Sequence, residues 1–174
     1  MIIILGMAGA GKSTQCKKLR DEYGYQWIAV GELLRSLKRS EEQQAEMMHG
    51  MILDDTVVQP LVESEISRLG DMPEIVLDGC PRTKLQAHWL VGQTIAPVSC
   101  VIHLVVSDVE AARRLHVRGR EDDSPEAVQK RFAGYHRDIT GVLDEFIQRG
   151  VPVHAFDADQ PEDEVYAAIV STLR

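Results

Sequence analysis

Cysteine is scarce in this sequence and poorly arranged for cross-linking. Cys16, Cys80 and Cys100 are odd in number and far apart, with no C-x-x-C pair and no Cys/His spacing suited to zinc. A disulfide framework and a structural zinc site are not expected, and the thiols read as small buried hydrophobes in a reducing cytoplasm. Positive charge is in deficit as well: 19 Lys and Arg stand against 27 Asp and Glu. That balance argues against broad binding to nucleic acid or to an anionic membrane, while leaving room for a local basic cluster. Long apolar runs are missing. The N-terminal Ile2-Ile3-Ile4-Leu5 has four aliphatic residues after Met1, with no basic flank and no cleavage site, so it reads as neither a signal peptide nor a membrane span. The six histidines show no paired spacing and predict no metal site. Internal repeats and low-complexity segments are absent too, and 174 residues suit one domain with a buried sheet.

What is present is concentrated at the start. The run Met1 to Leu5 reads as a buried strand and passes directly into Gly6-Met7-Ala8-Gly9-Ala10-Gly11-Lys12-Ser13, a G-x-x-x-x-G-K-S loop, followed by a helix over Thr14 to Glu22. Glycines free the backbone to turn successive N–H groups inward on a polyphosphate, the helix N-terminus adds its dipole, and Lys12 adds a mobile charge. Gly9, Ala10, Gly11, Lys12, Ser13 and Thr14 are therefore the expected binding residues for a nucleoside triphosphate. Ser13 stands where P-loop proteins place a ligand or outer partner of Mg2+. The bland alternative is a glycine-rich turn between a strand and a helix.

Further along, Tyr25 to Val30 predicts a second strand ended by Gly31, and Glu32 to Leu37 begins a helix that leaves Arg35 off its leucine face. A polar helix over Ser40 to His49, a cap at Gly50, and a helix over Thr56 to Leu69 started by Asp54, Asp55 or Thr56 come next. Glu74 to Leu77 predicts the third strand, which delivers Asp78 at its carboxyl end, where open α/β sheets bind ligands. Asp78 is placed to orient waters on Mg2+, and Arg82 to contact an oxyanion in the same crevice. A short helix is expected near Gln86 to Val91. Ser99 to Val106 predicts a strand covered on both faces, with His103 a satisfied core or edge residue. Asp108 is expected to cap a helix to about Val117. A polar loop over Gly119 to Pro125 reads as exposed, and Ser124 caps the helix that follows. A last strand over Pro152 to Phe156 and a terminal helix over Pro161 to Leu173 complete an α/β chain.

These motifs in this order resemble the adenylate kinase family of nucleoside monophosphate kinases. The carriers are the P-loop, Gly31-Glu32-Leu33-Leu34-Arg35, Asp78-Gly79-Cys80-Pro81-Arg82-Thr83 with Gln86-Ala87, the pair Arg114 and Arg118, Arg120-Glu121-Asp122-Asp123, and Lys130-Arg131. The resemblance implies a P-loop NTPase fold, with a five-stranded parallel sheet of order 2-3-1-4-5 and helices on both faces. It implies one nucleoside monophosphate kinase domain, with an acceptor-binding lobe over about 31–60 and a very short lid over about 114–131. It also implies transfer of the γ-phosphoryl group from ATP, with Mg2+, to a monophosphate, AMP first among them. Gly31, Arg35 and Arg82 would bind the acceptor, the two arginines by its phosphate, Gln86 would read the acceptor base, and Arg114 would stack on the donor adenine. Lys12, Arg82, Arg118, Arg120 and Arg131 would neutralise the transferring group. A cytoplasmic monomer without nucleic-acid or membrane partners is the accompanying expectation. The sequence departs from the family in Ser13, where glycine is usual, and in Val30, where threonine is usual. A different small-molecule kinase, or a nucleotide-binding module with slow ATPase activity, would share the P-loop.

Overall fold

A computed structural model describes residues 1–37, 55–70, 74–92 and 96–174. The expected helix over Ser40 to His49, its Gly50 cap and most of the acceptor-binding lobe lie outside the described residues. The chain runs β1 (Ile2–Gly6), α1 (Lys12–Tyr23), β2 (Gln26–Ala29), α2 (Val30–Ser36), α3 (Asp55–Arg68), β3 (Ile75–Asp78) and α4 (Lys84–Val91). It continues through β4 (Cys100–Val105), α5 (Asp108–Arg118), α6 (Pro125–Gln148), β5 (Val153–Asp157) and α7 (Glu162–Leu173). All strand pairs are parallel and the order is β2-β3-β1-β4-β5, as the resemblance implied.

Strand β1 shows why both faces must be covered. Its side chains alternate between two cores: Ile3 and Leu5 pack with Val62, Leu90, Val142 and Phe146 from the α3, α4 and α6 side, whereas Ile2 and Ile4 pack with Leu19, Val165 and Ile169 from the α1 and α7 side. A third cluster joins Met7 of the P-loop to Ala111 and Leu115 of α5 and to Val128 and Phe132 of α6. This cluster fixes the loop against the two helices that carry Arg114, Arg118 and Arg131. Among the described residues no helix is long and apolar enough to cross a membrane.

Three local expectations are corrected. Strand β2 stops at Ala29, and Val30 opens α2, because β2 pairs with β3 only as far as Ala29 opposite Asp78 and β3 ends there. Ser107, not Asp108, caps α5: its Oγ accepts from the Glu110 N–H at 3.3 Å while its own N–H and hydroxyl are held by Asp159. The loop after α5 is not simply exposed, since Asp122 is buried and the Asp123 side chain is 2% exposed. Two arginines draw Asp123 inward. The cap at Ser124, with Pro125 in the first turn, is found as expected.

Candidate active site

The site forms where β1 and β3 end side by side and the chain must turn back into helices. After β1 the loop winds tightly, with the Ala10 N–H donating to Met7 O at 3.1 Å and Gly11 capping α1 at φ +88°. Gly9 also sits at φ +88°, and a Cβ there would lie 2.6 Å from the carbonyl oxygen of Ala111. Only glycine fits between the loop and α5. Lys12, half-buried at the start of α1, folds back so that its Nζ donates to Gly6 O at 2.7 Å and Met7 O at 2.9 Å. Desolvation lowers its pKa below the ordinary lysine value, with the nearby Asp78 opposing that shift.

Strand β3 supplies the second wall. Asp78, buried at its last position, accepts a hydrogen bond from the Ser13 hydroxyl at 2.8 Å. A hydroxyl and a carboxylate brought together from two elements are hard oxygen donors of the kind that Mg2+ takes, alongside water and phosphate oxygens. Among the described residues no group of three or more His, Cys, Asp or Glu side chains could hold a metal without such help. The residues present therefore fit Mg2+ carried with a polyphosphate. Beyond Asp78 the chain passes Gly79 and a cis Cys80–Pro81 bond to Arg82, whose Nε donates to Gly79 O at 3.0 Å.

These walls enclose a cavity of about 550 Å3 lined by two lysines and six arginines against two carboxylates, Glu32 and Asp78. Such a surplus of positive charge inside an acidic chain points to a polyanionic ligand. Five of the six arginines lie against carboxylates. Arg114 donates through Nε to Glu110 at 2.7 Å. Arg118 reaches both oxygens of Asp123, at 2.9 and 2.7 Å, and Arg131 donates to the same carboxylate at 2.7 Å and to Asp122 O at 2.6 Å. Across the cleft Arg35 of α2 lies 3.7 Å from Asp122, and Arg120 lies 4.0 Å from Glu32 of α2. The arm carrying α2 and the short loop between α5 and α6 thus meet over the cavity.

The structure brings together Gly9, Gly11, Lys12, Ser13, Thr14, Gly31, Arg35 and Asp78 with Arg82, Arg114, Arg118, Arg120 and Arg131. It leaves out Ala10, whose methyl is buried and whose N–H is used within the loop, and Gln86. Gln86 is 1% exposed, accepts the Arg82 N–H at 2.7 Å and donates to Asp55 at 2.7 Å. His103 is satisfied as expected, hydrogen-bonded through Nε2 to the Tyr135 hydroxyl at 2.7 Å, and burial lowers its pKa.

The sequence profile of the family described as adenylate kinase matches residues 4–151. The chain belongs to the adenylate kinase family. It is 32% identical over 180 residues to an adenylate kinase of Cyanothece sp., covering 97% of this chain and 92% of that protein. It is 28% identical over 183 residues to adenylate kinase isoenzyme 1 of Cyprinus carpio, covering 99% and 93%. To adenylate kinase isoenzyme 5 of Mus musculus it is 30% identical over 177 residues; that match takes in 95% of this chain but 31% of the relative, so the chain spans about a third of that protein. Within the adenylate kinase frame, sequence reasoning missed Glu32, Tyr135 and Ile139 as lining residues and the acids that hold the arginines. Asp122 and Asp123 were visible in the Arg-x-Asp-Asp motif. Tyr135 carried no signal beyond its place on a helix.

Proposed function

We propose that the protein transfers the γ-phosphoryl group of ATP to a nucleoside monophosphate, with AMP the preferred acceptor and two ADP the products. The observation that supports this best is the crowding of six arginines, five of them from the two arms, and two lysines into one cavity beside the P-loop. A hydrolase needs to hold one polyphosphate, whereas joining two phosphates requires positive charge on both sides of the transferring group. In this reading Gly9, Gly11, Lys12 and Thr14 hold the triphosphate with Arg114, and Gly31, Arg35 and Arg82 hold the monophosphate. Lys12, Arg82, Arg118, Arg120 and Arg131 face the transferring group. Ser13 and Asp78 are the residues that would hold Mg2+, which supplies charge on the triphosphate oxygens when bound.

The acceptor phosphate oxygen attacks the γ-phosphorus, the bond to the bridging oxygen of ADP breaks, and no side chain has to form a covalent intermediate or remove a proton. The protein's work is alignment and exclusion of water. The segments of about 31–60 and 114–131 act as the acceptor arm and the lid, within one domain. A cytoplasmic monomer needs no further partner for this chemistry. The preference for AMP is taken from the relatives named adenylate kinase. The deciding assay is transfer from ATP with Mg2+ to AMP, GMP, CMP and UMP, beside a tube without acceptor. ADP formation that rises with AMP and less with the others supports the proposal; equal, slow loss of ATP in every tube refutes it.

A further inference from the structure

A buried chain of hydrogen bonds runs from Asp55 through Gln86 to the backbone of Arg82. Gln86, in the first turn of α4, is 1% exposed and does not line the cavity. Its Oε1 accepts the backbone N–H of Arg82 at 2.7 Å, and its Nε2 donates to Asp55 Oδ1 at 2.7 Å. The Cys80 Sγ lies 3.8 Å from the same Oε1. Thr83 holds the other end of the residue, its Oγ1 accepting the Gln86 N–H at 3.2 Å. Asp55 is the first residue of α3 and stands 31 positions away in sequence.

A carboxylate can only accept and a backbone N–H can only donate, so the pair dictates which way the Gln86 amide faces. Oε1 must point at Arg82 and Nε2 at Asp55. Arg82 in turn has its backbone pinned by Gln86 and its Nε bound to Gly79 O at 3.0 Å. Remove Asp55 and a buried amide donor loses its partner; the amide is then free to turn, and the Arg82 N–H can lose its acceptor. The effect would be felt at a guanidinium that lines the cavity.

We propose that Asp55, acting through Gln86, is a positioning residue for Arg82, and that it sets the grip on the acceptor phosphate whatever base the acceptor carries. This rests on the reading of Arg82 as a holder of that phosphate. Neither Asp55 nor the Gln86 amide needs to touch substrate for the effect.

The test compares wild type, Asp55→Ala, Asp55→Asn, Arg82→Ala and the double variant Asp55→Ala/Arg82→Ala. Steady-state transfer is measured to AMP, GMP, CMP and UMP, with calorimetric binding of AMP and the melting temperature of each variant. Asp55→Ala should lower kcat/KM for the acceptor on the order of tenfold to a hundredfold, the scale of a displaced positioning contact, while leaving the KM for ATP unchanged. The factor should be the same for all four acceptors and should vanish in the Arg82→Ala background. Asp55→Asn keeps an oxygen acceptor and should recover most of the loss. A loss confined to AMP would overturn the proposal, because the pair would then serve base reading. So would a loss that persists without Arg82, or a fall in melting temperature with AMP binding intact in the folded protein. If wild type transfers no phosphoryl group, the kinase reading fails on its own. AMP binding weakened equally by Asp55→Ala and Arg82→Ala would still uphold the coupling, and AMP binding weakened by Arg82→Ala alone would overturn it.

Discussion

Replacing Gly9 by alanine tests how the P-loop is held against α5. The added Cβ would lie 2.6 Å from Ala111 O, 3.0 Å from Ala111 Cα and 3.1 Å from Ala111 C, all backbone atoms of α5 that cannot swing aside. Ordinary contact begins near 3.4 Å, so the loop or α5 must yield by about 0.8 Å in a closely packed interior. Gly9 also sits at φ +88°, which adds about 1 kcal/mol of backbone strain for a residue with a side chain, and overpacking adds about 2 kcal/mol. For a domain of this size the sum lowers Tm by roughly 6–12 °C. Gly150→Ala is the matched control, since Gly150 has φ +75° and nothing lies within 4 Å of the position its methyl would take; it should carry the strain alone and lower Tm by roughly 2–4 °C. The two changes must also part in kinetics. Arg114 follows Ala111 by one helical turn, so Gly9→Ala should raise KM for ATP on the order of tenfold or more, as displacements near 1 Å do, whereas Gly150→Ala should leave it alone. Scanning calorimetry and initial rates at varied ATP decide the matter. Equal Tm shifts with unchanged KM for ATP in both variants would refute the argument.

Thr83→Ala removes the acceptor for the Gln86 N–H at the start of α4; it should cost about 1 kcal/mol, seen as a Tm fall of roughly 2–4 °C. Burial would raise the Asp123 pKa, but hydrogen bonds from Arg118 and Arg131 outweigh it and hold the value below the ordinary aspartate range. A depressed folded value means the carboxylate's contribution is present above the unfolded pKa and lost as pH falls through the folded one. The Tm difference between wild type and Asp123→Asn should therefore be full near neutral pH and shrink on acidification below pH about 4. A difference that grew on acidification would reverse the sign. All three cysteines are buried and their thiol pKa values are raised, that of Cys80 to about 12; an aromatic disulfide reagent at pH 8 should label none of them until the chain is unfolded. Labelling of a native thiol at the rate of free cysteine would count against the packing described.

The P-loop and the acid at the end of β3 were legible from short-range signals, an apolar run, a glycine spacing and a polar residue ending a strand, whereas the strand order and most of the cavity's arginines were expected only from the resemblance to the adenylate kinase family. Ser13, Arg82 and Asp78 could be placed from their neighbours in sequence. What could not be read is what depends on partners far apart. Val30 looks like strand by its branched side chain, and only the end of its pairing partner at Asp78 shows why it is helical. Gln86 reads as a base contact by its motif, yet its amide is turned by Asp55, which a sequence scan sees only as one of several helix caps. Nothing local announces that Glu32 will meet Arg120, or that a loop of polar residues will be drawn inward by Arg118 and Arg131.

Those acids solve a problem that the cations create. Six arginines and two lysines in one cavity repel one another when no ligand is bound, and an unpaired buried charge is costly. Each acidic partner lies on the same arm or across the cleft: Glu110 holds Arg114, Asp123 holds Arg118 and Arg131, Asp122 faces Arg35, and Glu32 faces Arg120. Lys12 and Arg82 differ, being held by backbone carbonyls of Gly6, Met7 and Gly79. A neutral carbonyl competes more weakly for a cation than a carboxylate does. On the proposed function, Lys12 and Arg82 are therefore the cations most readily transferred to a phosphate, while the arginines on Asp123 can keep that partner and present their remaining N–H groups. Binding free energy in this cleft is then a difference between the phosphate hydrogen bonds that form and the carboxylate pairs that loosen. The close pairs at Asp123 set the arginines' geometry, and the 3.7 and 4.0 Å pairs across the cleft are the ones a phosphate can displace.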